Sequence, residues 1–316
     1  MRLTSSLCSL ILVFFMSNLA YSQEFDKTAI VNKLADLMNE NYVFPEKGKA
    51  MHDLIKDNLE QGAYDTITDA SVFAKRLDVD LHTIADDGHI RVNYDPSRIE
   101  RMKGGKGMGG RAAPENFGFE TVEVQDGIGY LDLRMFYSLG PARDIAAASM
   151  DKLIGAKAII FDLRKNGGGS PEMIRFICSY LFDESVHLNS FYWRPQDEHS
   201  ETWTNPNFAK VRKQDIPVYV LTSSRTYSAA EEFTYDLKNL ERATVIGETT
   251  GGGAHPGGPM IINDDFFVNV PQGRAINPIT HTNWEVVGVV PHIEVEADFA
   301  LDKARELAKK ALHENN

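Results

Sequence analysis

Between Phe25 and Ile84 apolar residues return with the period of helices. Ile30, Leu34 and Leu37 share one face, Met51 and Leu54 another, and Phe73, Leu77, Leu81 and Ile84 a third. Pro45 and Gly62 separate these stretches, so the pattern predicts a small unit of three helices. At HIRVNY the period changes to the alternation of a strand, which places a boundary near Asp86 to Asp95. We read residues 23–88 as an amino-terminal helical domain and 89–316 as the main core.

Beyond Phe117 strands and helices alternate. GIGYLDLRMF reads as a strand, the stretch from Ala142 as a helix, and AKAIIFDLR as a strand. A helix at PEMIRFICSYLF, strands around FYW, a strand VYVLTS, a helix AAEEFTYDLKNL and a strand ATVIGE follow, and DFALDKARELAKKAL is an amphipathic terminal helix. The runs AIIF and VYVL are continuously apolar, as parallel strands covered on both faces are. A layered α/β (α+β) core follows. RMKGGKGMGGRAAPEN carries five glycines between Gly104 and Gly110 and reads as a surface loop, spanning about 95–116.

The chain has 316 residues, 43% hydrophobic and 25% charged, enough for a substantial core. Its net charge of -12 argues against nucleic acid as a partner. Met1 to Ser22 has Arg2 before the apolar run LCSLILVFF and small residues before Gln23, the form of a signal peptide cleaved near Ser22/Gln23. That run is too short to span a bilayer, so export to the periplasm or the exterior, with no stable membrane span, is expected. Cys178 is then the one cysteine of the mature chain and lies in an apolar helical stretch, where a packed thiol is expected.

Four segments carry candidate chemistry. In FDLRKNGGGSPEM a buried strand runs into Gly167, Gly168 and Gly169, whose amides have no side chains over them and suit an anion such as a phosphate or an acyl-transfer oxyanion. A plain strand-to-helix turn is the alternative. Ser228 stands where a loop meets a helix, the place that exposes a nucleophile, although Ser228 to Glu231 also has the form of a capping box. His89 opens a strand after Gly88 and is a candidate base, with His255 and His281 as rivals. Glu285, in THTNWEVVGVVPHIEV, is a carboxylate that would orient such a base, or an acidic residue at a strand edge. No Cys/His cluster, HExxH or EF-hand pattern occurs, so no metal or cofactor is expected.

Together these segments resemble the serine peptidase family of the carboxyl-terminal processing proteases, the tricorn core protease and the interphotoreceptor retinoid-binding protein modules, from about His89 to Ile293. DLRKNGGG and the stretch from SRTYSAAEEF to ATVIGETTGGG carry the likeness. It implies a ClpP/crotonase-like core, with Ser228 on the nucleophile, and the amide of Ala229 with one from Gly168 or Gly169 as the oxyanion hole. It also implies a peptide or protein substrate. In the processing branch the base is a lysine 25 residues after the serine, where this chain has Gly253. The tricorn-like branch uses histidine, matched by His89, and a carboxylate, matched by Glu285, but has serine where this chain has Gly88. The gap from Asp95 to Phe117 is too short for the family's PDZ module. The expectation is a secreted or periplasmic serine peptidase acting through Ser228, His89 and Glu285 on peptides or carboxyl-terminal segments. The alternative is a binding module of the same fold holding an apolar ligand or peptide.

Overall fold

The computed structural model describes residues 25–104, 113–209 and 211–314. The leader and most of the glycine-rich run therefore lie outside the described residues. Three helices come first: α1 (Lys27–Asn41), α2 (Pro45–Glu60) and α3 (Ala70–His82). Asp26 and Asp69 cap α1 and α3 by accepting the N–H groups of Ala29 and Val72, and Pro45 opens α2 where a missing N–H costs nothing. The strand β1 (Arg91–Tyr94) and the short α4 (Pro96–Lys103) follow.

The core continues through β2 (Phe119–Gln125), β3 (Ile128–Leu133), α5 (Leu139–Leu153), β4 (Ala158–Asp162) and α6 (Pro171–Cys178). Next are β5 (His187–Trp193), β6 (Glu198–Trp203), β7 (Val218–Thr222), α7 (Ala229–Asn239) and β8 (Thr244–Gly247). The chain closes with β9 (Gly257–Ile261), β10 (Phe266–Pro271), β11 (Gly273–Ile276), β12 (Ile293–Glu294) and α8 (Ala300–Glu314).

The main sheet has the order β12-β8-β7-β4-β3-β2 and is parallel except for the β2–β3 hairpin, which turns at Asp126-Gly127 with both residues at positive φ. Both of its faces are covered. Ile159, Phe161, Val218 and Val220 pack beneath α5, α6 and α7, whereas Ala158, Ile160, Tyr219 and Leu221 meet Ala300, Ala304 and Ala308 of α8. Strands buried on both sides have no polar face to alternate with, which is why AIIF and VYVL are unbroken apolar runs. The mixed α/β architecture expected from the sequence is the one observed.

The three amino-terminal helices do not close their core alone. Leu34, Met51, Phe73 and Leu77 share one buried cluster with Val92 of β1 and with Phe266, Val268 and Val270 of β10, a strand nearly two hundred residues away in sequence. The helices thereby pack on a small antiparallel sheet of order β1-β10-β9. His89 sits just before β1, so this sheet also sets its position. Among the described residues no helix is long and apolar enough to cross a membrane.

Candidate functional site

Adjacent parallel strands β4 and β7 end side by side, and the loops that leave them carry the glycine turn and Ser228. Ligand sites in open parallel sheets form at this carboxyl edge. Side chains tie the two loops together. Thr226 Oγ1 donates to the Leu163 carbonyl (2.9 Å), Ser223 Oγ to the Arg164 carbonyl (2.6 Å), and the Tyr227 N–H to the Asn166 carbonyl (3.1 Å). Asn166 is itself fixed by its amide donating to the Leu133 carbonyl (2.9 Å).

Ser228 lies at the start of α7 with φ 56° and ψ -121°, a backbone region that glycine prefers. A residue held there carries strain of order 1–3 kcal/mol and needs surrounding structure to hold it. Glu231 does so. Its buried carboxylate accepts the N–H groups of Ser228 (2.8 Å), Gly252 (2.6 Å) and Gly253 (2.8 Å) and the Thr250 hydroxyl. Burial raises its pKa against the pull of these four donors. The Glu231 N–H donates to the Ser228 carbonyl (2.8 Å). The capping geometry anticipated at this helix start is thus largely the work of Glu231, and the Ser228 hydroxyl faces His89, with Oγ 3.2 Å from Nε2.

Two of the three glycines of the turn have positive φ, 112° at Gly168 and 135° at Gly169. A Cβ on Gly168 would stand 2.8 Å from the Ser228 Cβ, and one on Gly169 would stand 2.0 Å from the Phe136 carbonyl oxygen. Glycine is therefore required for the turn to reach the nucleophile. The Gly168 N–H donates to Asn166 Oδ1 (2.9 Å), which removes Gly168 from the expected pair of oxyanion donors. No hydrogen bond engages the N–H of Gly167, Gly169 or Ala229 among the described residues. Gly167, one of the three glycines singled out in the sequence but not in the donor pair that the resemblance implies, borders the cleft in front of Ser228.

His89 is held by its backbone: its N–H donates to Asp87 Oδ1 (3.0 Å). Asp87 Oδ2 in turn accepts from Tyr42 Oη (3.1 Å) and contacts His255 Nδ1 at 2.8 Å. Burial acts to raise the Asp87 pKa, but the His255 contact and the His89 amide outweigh it and hold the carboxyl below the usual range. His255, a rival base on sequence grounds, is thus the buried partner of Asp87, and His281 is exposed in a turn. Burial lowers the His89 pKa, with Asp87 pulling the other way, so the imidazole is favoured in its neutral form.

Glu285 comes close to His89 without a hydrogen bond to it. Its Oε2 accepts the Ala254 N–H and lies 3.5 Å from His255 Nδ1, whereas its buried Oε1 has no hydrogen-bond partner. Burial, with the charge of Asp87, pushes its pKa up to about 7. The segment around it is a loop rather than a strand, bent by positive φ at Val286 and Gly288. Asp87, His89 and Glu285 each offer one ligand atom, all within 4.8 Å of one another. A cation there would take one imidazole nitrogen and leave the other protonated, so metal ligation and service as a base exclude each other at His89.

Farther along α7, Glu232 and Asp236 are buried one turn apart, and Glu232 Oε1 and Asp236 Oδ2 have no hydrogen-bond partner. Burial pushes Glu232 up to about 8 and Asp236 well above the carboxylate range. The folded chain therefore keeps protons that the unfolded chain releases near pH 4, and this contribution to stability is lost as pH rises towards about 8. Thermal melts should show a falling Tm between pH 6 and pH 9. Glu232→Gln should flatten that slope and raise the Tm at pH 8. A variant with the wild-type slope would mean that this pair stays ionised in the fold.

A family model described as "Peptidase family S41" matches residues 127–295, and another described as "N-terminal domain of Peptidase_S41 in eukaryotic IRBP" matches residues 25–109. Carboxyl-terminal-processing peptidase 2, chloroplastic, of Arabidopsis thaliana is 30% identical over 179 residues, covering 56% of this chain but 33% of that relative's length. A candidate peptidase from Parabacteroides merdae superposes with a TM-score of 0.64 at 21% identity, covering 89% of this chain and 96% of its own. The photosystem II D1 carboxyl-terminal processing protease does so with a TM-score of 0.58 at 16% identity, covering 87% and 94%. At these identities the structural likeness is one of fold, whereas the first match spans more than half of the sequence. The chain belongs to peptidase family S41.

Proposed function

We propose that the protein is an exported serine peptidase that hydrolyses peptides or carboxyl-terminal segments of proteins. The observation that carries this reading is the 3.2 Å approach of Ser228 Oγ to His89 Nε2, with the serine at a strained helix start. Ser228 Oγ attacks the scissile carbonyl while His89 Nε2 takes its proton. The tetrahedral oxyanion is met by the Ala229 N–H and by an amide of the glycine turn, Gly169 or Gly167, and His89 then returns the proton to the leaving amine. A fixed donor of this kind contributes roughly 3 kcal/mol to the transition state. Glu285 acts on the site through its charge and through Ala254, since it makes no hydrogen bond to His89. The leader-like stretch from Met1 to Ser22 supports export.

The cleft in front of Ser228 has a volume of about 510 Å³ and includes Met135 and Val270 on its wall. In this acidic protein, Arg91 and Arg98 also line it, and among the described residues no carboxylate does. The Arg98 guanidinium lies 4.8 Å above the Phe267 ring, and its buried Nε has no hydrogen-bond partner. Such a wall suits a substrate carrying a carboxylate near the scissile bond. Peptides with a free carboxyl terminus should be cleaved with roughly tenfold higher kcat/KM than their amides, the effect of one charge-assisted hydrogen bond. Arg98→Gln should erase the difference and leave amide cleavage unchanged. Equal rates on both substrates by the wild type would remove the charge preference, and no cleavage of either would count against the peptidase reading itself.

A further inference from the structure

Two departures from the family pattern, Gly88 before the histidine and Gly253 in place of a lysine, meet at one side chain. A Cβ on Gly88 would stand 2.3 Å from Tyr227 Oη. A Cβ on Gly253 would stand 2.3 Å from Tyr227 Cζ and 2.7 Å from His89 Cε1. The Tyr227 ring occupies the space of both missing side chains and lies against the His89 imidazole, with ring centroids 4.9 Å apart and planes at 36°. Its hydroxyl is 3.5 Å from His89 Nδ1.

An imidazole that accepts the Ser228 proton at Nε2 carries its own proton at Nδ1, and that N–H needs an acceptor. Asp87 gives one oxygen to the His89 backbone and the other to Tyr42 and His255. Glu285 makes no hydrogen bond to the ring, so among the described residues Tyr227 Oη is the side-chain atom in contact with Nδ1. Burial and the nearby charges of Glu285 and Asp87 keep the phenol protonated. When Nδ1 carries the proton, the phenol oxygen accepts it through a lone pair and the phenol keeps its own O–H bond.

We propose that Tyr227 is the positioning residue of His89, selecting the tautomer with Nδ1 protonated and Nε2 open to Ser228. This rests on the peptidase reading above. In the reaction the Ser228 O–H bond breaks and the proton forms a bond to Nε2. The imidazolium keeps its Nδ1–H on Tyr227 Oη, and the phenol begins and ends protonated. Because the phenol is neutral, it orients the ring without balancing the charge that develops there.

The test is Tyr227→Phe, which keeps the ring in its place between Gly88 and Gly253 and removes only the hydroxyl. On a peptide substrate kcat should fall about tenfold or more with KM little changed, well short of the roughly ten-thousandfold lost when a charged orienting carboxylate is replaced. ¹⁵N signals of histidine-labelled protein should show His89 as the Nδ1–H tautomer in the wild type and as a mixture in the variant. A merely structural role would not move that signal. An unchanged tautomer together with a kcat within twofold of wild type would overturn the assignment. The nitrogen signals need no substrate, so they decide it even if no peptide is cleaved. Retained hydrolysis in Ser228→Ala would instead defeat the peptidase reading and leave the tautomer result standing.

Discussion

Replacing Phe233 by alanine should lower stability by about 3–5 kcal/mol, the usual cost of emptying a buried phenylalanine site. For a chain of this size that corresponds to a Tm lower by roughly 10 °C. Phe233 is fully buried on α7, with ring centroids 5.5 Å from Phe136 and 5.2 Å from Phe161. The site depends on this packing as much as the core does. Phe233 holds the helix that begins at Ser228, and Phe136 braces the glycine turn: its N–H donates to the Gly168 carbonyl (2.9 Å), and its carbonyl accepts the Ser170 N–H (2.6 Å). Turnover by Phe233→Ala below its melting range should therefore fall further than the folded fraction does. Phe233→Leu, which keeps most of the volume, should recover most of both losses. Denaturant melts alongside peptide hydrolysis check this, and a loss under about 1 kcal/mol would mean that the three rings are not packed as described.

Ser228→Ala should reduce kcat by on the order of a millionfold, the scale seen when the nucleophile of a serine–histidine unit is removed. The fold should survive. Alanine keeps the Cβ that already sits at φ 56°, so it adds no new backbone strain, and the Ser228 backbone N–H still reaches Glu231. The contact that disappears is the one to His89. Its melting temperature should stay within about 2 °C of wild type, as is usual where no buried group is left unpaired. Residual turnover above that scale would indicate another nucleophile. Loss of folding would indicate that the hydroxyl serves α7 rather than the substrate.

The periodic segments were legible because burial writes itself into spacing. Leu34, Phe73 and Leu77 mark helix faces, and AIIF and VYVL mark strands covered on both sides. Ser228 and His89 were found through local motifs, and the fold brings them together across 139 positions. What pairs with what was not legible. The Asp87–His255 contact spans 168 positions and depends on β10 docking against the amino-terminal helices, which no local pattern reports. Glu285 looked like a strand residue because valines follow it, yet Val286, Val287 and Val290 are exposed on a loop whose bend comes from positive φ at Val286 and Gly288. Gly88 and Gly253 looked like losses from a family pattern. Their common cause, the Tyr227 ring, shows only when the three residues are placed in space. Gly168 was one of two glycines that the resemblance offered as a donor, and the Asx-type turn of Asn166 engages its amide.

The most direct test of an activated Ser228 is covalent labelling by a serine-directed fluorophosphonate, read by intact mass and peptide mapping. One adduct should form, on Ser228, and both Ser228→Ala and His89→Gln should abolish it at the wild-type labelling rate. Wild-type protein that stays unlabelled, or that labels at another residue, would contradict the account.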